Sequence, residues 1–153
     1  MIGLEVRRFE AADAKAVREL HDLARAEAGA DLGRATRTEA FDSTTYVDDG
    51  GEFLVGRCDG RLVATGALRH VTDKVAELER IAVHPSFQRR GFARLILIRL
   101  EERARELGYR QLRLHTTVTQ TAAQRLYQAA GYRQVARGQL AGAEVVYFAR
   151  SLT

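Results

Sequence analysis

The chain has 153 residues, 46% hydrophobic and 29% charged, which suits one globular domain that buries its own core. No apolar run approaches the ~18 residues of a membrane span, the first thirty residues are too charged for a signal peptide, and a single cysteine, Cys58, excludes an internal disulfide and favours a cytoplasmic protein. The net charge is +4, carried mostly by arginines, which suits phosphate binding but also follows from a GC-rich genome.

The first third of the chain predicts a strand and a helix. Apolar alternation over residues 1–9 predicts the strand. Apolar residues three and four apart then predict a helix that runs to about Ala28, with Asp13 as its N-cap or first-turn acid. Residues 30–50 are rich in Gly, Thr and Asp, and predict a weak helix around residues 36–44 between loops.

The next segment carries the strongest strand signals. Glu52 to Cys58 and Arg61 to Arg69 flank Asp59-Gly60, and Asp-Gly between two apolar runs predicts a hairpin with a type I′ turn. A third strand is predicted from about Val75 to His84, and it ends at Pro85.

The second half of the chain alternates helices with strands. Helices are predicted from about Arg90 to Leu107 and from Thr121 to Ala130, each followed by a glycine suited to the C′ position. Strands are predicted over residues 110–116, 132–140 and 144–151. This order of elements predicts a mixed sheet with helices on its faces, in a single domain spanning residues 1–153.

The strand before Pro85 has an irregular apolar pattern. Leu78 is at an even position, whereas Ile81 and Val83 are at odd positions, so a regular strand cannot turn all three to one face. One extra residue between Glu79 and Ile81, a β-bulge, would remove the mismatch. The alternative is that Leu78 and Ile81 are buried against opposite faces of the sheet, both covered by helices.

A turn that could bind an anion follows this strand and opens a helix. The unpaired amides at a helix start favour an anion, and small residues at Gly91 and Ala93 let a phosphate approach the backbone. The sequence has no Walker loop and no G-x-G-x-x-G fingerprint. Taken alone, the pattern is also that of a loop glycine before a basic helix. The residues of the turn are Gln88, Arg89, Arg90, Gly91, Phe92, Ala93 and Arg94.

Three motifs together resemble the GNAT N-acetyltransferase superfamily. They are the stretch from Glu77 to Pro85, the turn Gln88-x-x-Gly91-x-Ala93, and Ala123-x-x-Leu126-Tyr127-x-x-x-Gly131-Tyr132. The resemblance covers nearly the whole chain and implies a GNAT-like α/β (α+β mixed) fold. That fold has a mostly antiparallel mixed sheet of about six to seven strands, splayed at a β-bulge, with about four helices. The implied activity is transfer of an acetyl group from acetyl-CoA to a primary amine of a small molecule or peptide, without a metal.

The resemblance also implies residue roles in binding acetyl-CoA. Main-chain groups of Ile81 and Val83 would pair with the pantetheine arm, and the Ile81 N–H would polarise the thioester carbonyl. Tyr127 would protonate the departing thiolate, although its helix stripe is also that of a core residue. Gln120 stands where many members have an asparagine that contacts pantetheine. The full predicted set is Ile81, Ala82, Val83, Gln88, Arg89, Arg90, Gly91, Phe92, Ala93, Arg94, Gln120 and Tyr127.

The general base is left open between several residues. Glu77 occupies the position of a glutamate that some family members use, and Glu79 would share its strand face, either of them acting directly or through water. Both carboxylates also fit ordinary strand-surface charge. His70, His84 and His115 are the alternative bases, with His84 better explained as a cap before Pro85.

Two other functional classes remain. One is a non-catalytic acyl-CoA sensor, against which the presence of both Glu77 and Tyr127 argues. The other is a nucleic-acid binder or a toxin-like acetyltransferase of aminoacyl-tRNA, against which the modest charge argues. The acceptor cleft is expected from about residues 23–51 and 137–146, and the edge left by the final strands is compatible with a homodimer. Acidic residues that would attract an amine, or simply carry solvated charge, are Asp42, Asp48, Asp49 and Glu52.

Overall fold

The computed structural model describes residues 3–28 and 44–153, which form seven strands, three longer α-helices, one single-turn α-helix and two short 3-10 helices. Every element predicted within these residues is found, although the first strand is shorter than residues 1–9. The helix predicted around residues 36–44 lies outside the described residues except for its last position. The bounds are β1 (Glu5–Arg8), α1 (Ala14–Ala28), α2 (Thr44–Val47), β2 (Glu52–Cys58), β3 (Arg61–His70), β4 (Val75–Val83), α3 (Phe92–Glu106), β5 (Gln111–Thr117), α4 (Thr121–Ala129), β6 (Arg133–Leu140) and β7 (Ala143–Ser151).

The strands form one sheet in the order β1-β2-β3-β4-β5-β7-β6. All neighbours are antiparallel except β4 and β5, which α3 joins as a parallel pair. Helices α3 and α4 cover one face, where the largest core cluster includes Leu78, Leu97, Leu114 and Phe148. Helices α1 and α2 cover the other face with a smaller cluster around Phe53. Within the described residues, no helix combines the length and apolar character that a bilayer span requires.

Tight turns close the two hairpins that the sequence predicts. Asp59 and Gly60 have φ of 52° and 77°, and Ala141 and Gly142 have φ of 50° and 85°. Positive φ at both central residues is the type I′ geometry, so the turn predicted from Asp-Gly is confirmed. The second turn is shorter than the three residues expected, because β7 begins at Ala143.

The predicted β-bulge in β4 is confirmed. Ala67 faces Glu79 and Thr65 faces Ala82, so the single residue Gly66 lies opposite both Arg80 and Ile81. Arg80 takes a φ of 60°, and the extra residue returns Ile81 to the face of Leu78, where both pack in the same core cluster. The alternative of opposite faces is therefore wrong.

The sheet opens beside this bulge. β4 pairs with β5 over Val75–Glu77 and Gln111–Arg113, whereas β4 continues to Val83 and β5 to Thr117. β7 pairs with β5 along its whole length, so β5 follows β7 away from β4. The result is a cleft between the carboxyl ends of two parallel strands, which is where open α/β sheets usually bind ligands.

Candidate active site

Main-chain groups of β4 line one edge of this cleft. The His84 amide donates to the Val63 carbonyl at 2.7 Å, so amides at alternate positions turn toward β3 and those between them turn away. The N–H and C=O of Val83, and of Ile81 two residues earlier, therefore point into the cleft. Ala82 lies opposite Thr65, so its main-chain groups face β3 and leave its side chain as the part that a ligand could contact.

A hydrogen-bonded chain from α1 holds the bulge. The Thr65 hydroxyl donates to the Arg80 carbonyl at 2.7 Å and lies 3.0 Å from His21 Nε2. Because its one proton goes to Arg80, His21 Nε2 must be the donor to Thr65. Burial, assisted by Arg80 and Arg25, lowers the pKa of His21 to about 4, so the ring is neutral at pH 7.

The hydrogen bonds that join His21, Thr65 and Arg80 set the direction of one peptide plane. In a trans peptide, the C=O and the following N–H point in opposite directions. Thr65 draws the Arg80 carbonyl toward β3 and α1, which turns the Ile81 N–H toward the cleft. A fixed N–H pointing into a cleft can stabilise a developing negative charge on a carbonyl oxygen.

The turn before α3 ends the same cleft with a row of donors. Gly91 is the N-cap of α3 with φ of 81°, and Arg89 has φ of 64°. Among the described residues, the amides from Arg89 to Arg94 make no hydrogen bond to another backbone group. A Cβ on Gly91 would find no atom within 4 Å, so the space beside this glycine is open to a ligand. These features fit a phosphate group.

Side chains around the turn order it. The Arg90 guanidinium lies over the Phe87 ring at 4.9 Å, and Arg61 approaches the same ring at 5.4 Å. The Gln88 side-chain amide donates through Nε2 to the Val83 carbonyl at 3.4 Å, which connects the turn to the cleft edge of β4. Positive charge is thus concentrated where the open amides lie.

Tyr127 lies on the opposite side of the cleft from α1, in the core beneath α3 and α4. Its side chain is 8% exposed and packs against Tyr132 and Phe148 at centroid distances of 6.0 and 6.3 Å. Its hydroxyl has no hydrogen-bond partner in the part of the chain that the structure describes. Burial raises the pKa of Tyr127 to about 12, so the phenol stays protonated at pH 7.

Glu77 lies on the α1 face beside two arginines and a histidine. Arg69 on β3 pairs with one of its carboxylate oxygens, while Arg113 Nε and His115 Nδ1 on β5 lie 3.9 and 3.6 Å from the other. Burial raises the pKa of Glu77, but the contacts with His115 and Arg69 outweigh it and lower that pKa to about 2. A carboxylate with so low a pKa is a weak proton acceptor.

Glu79 is held by a second polar group on the same face. It accepts a hydrogen bond from Tyr46 at 3.0 Å and one from Arg69 at 2.9 Å. Arg80 in turn donates to the Tyr46 hydroxyl at 3.2 Å. Arg69 therefore bridges Glu77 and Glu79, so each carboxylate is paired with an arginine and neither is a free base.

The other predicted residues take different positions. Gln120 precedes α4 at the carboxyl end of β5, beside the cleft. His70 lies 2.8 Å from the Tyr109 hydroxyl at the far end of β3, and His84 accepts from the Ser86 amide as a cap. Glu52 is neither an amine-attracting group nor a solvated loop charge, because it is buried at the start of β2 and pairs with Arg8 at 2.8 Å. Asp48 and Asp49 follow α2 in a turn, and Asp42 lies outside the described residues.

Sequence reasoning missed the partners of Glu77 and the hydrogen bond from Thr65 that holds the bulge. The hairpin register would have found Arg69, which lies directly across from Glu77 and forms a cross-strand pair of opposite charges. No local signal points to Arg113 or His115, because the register of a parallel pair is set by the packing of the helix between the strands. The bond from Thr65 to Arg80 depends on the bulge and has no pattern in the sequence.

Comparison with known proteins identifies the family to which this chain belongs. Residues 16–132 match the family model described as the acetyltransferase (GNAT) family. The N-acetylaspartate synthetase of Rattus norvegicus is 34% identical over 104 residues, which are 66% of this chain and 35% of the rat protein. The chain therefore spans about a third of the length of that relative.

Solved structures share the fold at low sequence identity. A GNAT-family acetyltransferase from Staphylococcus aureus Mu50 superposes with a TM-score of 0.82 at 16% identity, covering 99% of this chain and 100% of its own. The putative acetyltransferase yncA from Salmonella typhimurium, solved with acetyl-CoA, gives 0.80 at 20% identity, covering 98% and 94%. The chain belongs to the GNAT family of acetyltransferases.

Proposed function

We propose that this protein is an N-acetyltransferase that moves the acetyl group of acetyl-CoA to a primary amine of a small molecule or peptide. The observation that carries the proposal is the cleft between β4 and β5, with Ile81 and Val83 main-chain groups along one edge and open amides at its end. An extended chain can add to such an edge as a strand does, and a diphosphate suits the amides before α3.

Binding is assigned to the two parts of the cleft. The amides from Arg89 to Arg94 would hold the diphosphate, with the arginine side chains adding charge and the Gln88 side chain nearby. Val83 and Ile81 would pair with the pantetheine arm through their main chains, with Ala82 contributing its side chain and Gln120 reaching from the other edge. The carrier supplies an acetyl group activated as a thioester.

The chemistry is assigned to groups on both faces of the splayed sheet. The Ile81 N–H stabilises negative charge on the acetyl oxygen. Tyr127, below the cleft on the α3 and α4 side, donates a proton to the leaving sulfur. Glu77, above the cleft on the α1 side, belongs to the path that removes a proton from the amine. An acid and a base on opposite faces can act on the leaving and attacking atoms without neutralising each other.

A pair of glycine variants tests the binding assignment. Gly91 and Gly142 both have positive φ, and in both cases a Cβ would meet no protein atom within 4 Å. Alanine at either position therefore carries the same backbone strain, about 1 kcal/mol. Only Gly91→Ala places a methyl group where the diphosphate would approach. By calorimetry we expect Gly91→Ala to weaken acetyl-CoA binding at least about tenfold. Gly142→Ala should keep the wild-type affinity.

Thiol release with a panel of amines tests the reaction. The panel includes aspartate, because one matched relative is named for N-acetylaspartate synthesis, together with other amino acids, polyamines and short peptides. Release that depends on both acetyl-CoA and one class of amine supports the transferase. Tight acetyl-CoA binding without release for any amine would instead support a sensor, and no binding of coenzyme A in any acylated form would refute the proposal altogether.

A further inference from the structure

His115 lies at the mouth of the cleft with one ring nitrogen facing Glu77 and the other turned away from it. It follows Arg113, the last residue of β5 that pairs with β4, and it shares the face of Glu77. Nδ1 is 3.6 Å from a Glu77 oxygen, and the ring packs on Tyr147 of β7 at 5.8 Å. The side chain is 32% exposed, and Nε2 has no hydrogen-bond partner within residues 3–28 and 44–153.

Every strand around this histidine contributes to its environment. Glu77 approaches from β4, Arg113 comes from β5 itself, and Tyr147 comes from β7. Arg69 on β3 acts through Glu77, whose second oxygen it occupies. The carboxylate is thus held in place by two arginines and presents one oxygen to the ring. A carboxylate that faces one imidazole nitrogen favours a proton there and leaves the lone pair on the other nitrogen.

We propose that His115 Nε2 is the base that removes the proton from the acceptor amine, and that Glu77 is the residue that positions and orients the His115 ring. This inference rests on the proposed function, since it assigns a residue to the same reaction. Glu77 is then not the group that accepts the proton from the amine, but the group that orients the histidine that does. The arrangement explains why a buried carboxylate beside a catalytic cleft is paired with arginines instead of being kept free.

The proton and bond changes balance with these residues. The amine enters as an ammonium, and His115 Nε2 takes one proton from it and later passes that proton to water. The amine nitrogen then forms a bond to the acetyl carbon as the carbon–sulfur bond breaks. Tyr127 gives its proton to the sulfur and regains one from the same nitrogen. The products are the N-acetylated amine, the free thiol and one proton in solution.

Kinetics of matched glutamine variants test the assignment. We expect His115→Gln to lower the turnover number by about 10²-fold or more, with acetyl-CoA affinity unchanged by calorimetry. The deficit should shrink as the pH rises toward the range where the free amine is already deprotonated. His70→Gln is the control, because His70 contacts Tyr109 at the far end of β3. A His115→Gln enzyme with wild-type turnover and pH profile would overturn the inference.

A measurement that needs no turnover tests the role of Glu77. Nitrogen-15 spectra of the histidine rings, with His115 assigned from the spectrum of His115→Gln, report which nitrogen carries the proton. We expect neutral His115 to carry it on Nδ1, and Glu77→Gln to move it toward Nε2, since an amide whose oxygen stays with Arg69 turns its NH₂ group to the ring. An Nε2–H tautomer in the wild type would overturn the inference. If no amine is acetylated by the wild type, the proposed function fails while this spectrum still decides the histidine–glutamate pair.

Discussion

Replacing Thr65 by valine tests whether the bulge is held by the hydrogen bonds described above. The substitution keeps the shape of the side chain but removes the hydroxyl that donates to the Arg80 carbonyl at 2.7 Å and accepts from His21 at 3.0 Å. Thr65 is fully buried, so water does not replace the hydroxyl. Losing these bonds should cost about 1–3 kcal/mol, which lowers the melting temperature of a protein of this size by roughly 2–12 °C.

The same substitution should reduce acetyl-CoA affinity. The bonds hold Arg80 at φ of 60°, a conformation that costs a non-glycine residue about 1–3 kcal/mol. Once they are lost, the bulge can relax and turn the Ile81 N–H out of the cleft, and a relaxation of about 1.4 kcal/mol weakens binding about tenfold. Scanning calorimetry measures the melting temperature, and titration calorimetry measures the affinity for acetyl-CoA. Thr65→Ser is the control, since it keeps the hydroxyl and should keep the affinity. Equal affinity of the valine variant and the wild type would refute the reasoning.

Three further predictions concern the acid, the packing and the ion pairs. Tyr127→Phe should lower turnover about 10²-fold with acetyl-CoA affinity within about twofold, and unchanged thiol release would remove Tyr127 as the acid. Gly66→Ala places a Cβ 2.4 Å from Ile96 Cγ2, so urea unfolding should show a loss of about 1–3 kcal/mol. Gly3→Ala, with open space around it, should show none. The lowered pKa of Glu77 means that its ion pairs stabilise the fold above about pH 4.5 and are lost as pH falls toward about 2. Glu77→Gln should therefore flatten the fall in stability over that range, and an unchanged acid profile would contradict it.

Much of the fold can be predicted because its signals are local. The Asp59-Gly60 turn follows from the positive φ that a type I′ hairpin needs at adjacent residues. Gly108 and Gly131 end their helices with φ of 90° and 93°, as their C′ positions require. The bulge is visible in the parity of three apolar residues on one strand, because the side-chain period of a strand is two. Each inference depends on residues within one element or one turn.

The cleft residues divide along the same line. The turn around Gly91 and the position of Tyr127 can be identified from motifs, since each lies within a few residues of a helix end or stripe. The ion pairs of Glu77 cannot, because they join β3, β4 and β5, and a whole helix separates β4 from β5 in the chain. Both interpretations of Glu52, as an amine-attracting group or as a solvated charge, failed for a related reason: only the packed sheet shows that Glu52 is buried and paired with Arg8.

The sequence by itself determined the order of strands and helices, the irregularity in β4 and the amides that open α3. The tertiary structure alone decided that β4 and β5 part after Glu77, that Thr65 turns the Ile81 N–H into the resulting cleft, and that His115 meets Glu77 there. The physical reason is the distance along the sequence between the residues that determine each feature. Backbone conformation follows from neighbouring residues, whereas the separation of two parallel strands and the charges gathered at their ends depend on how the helix between them packs.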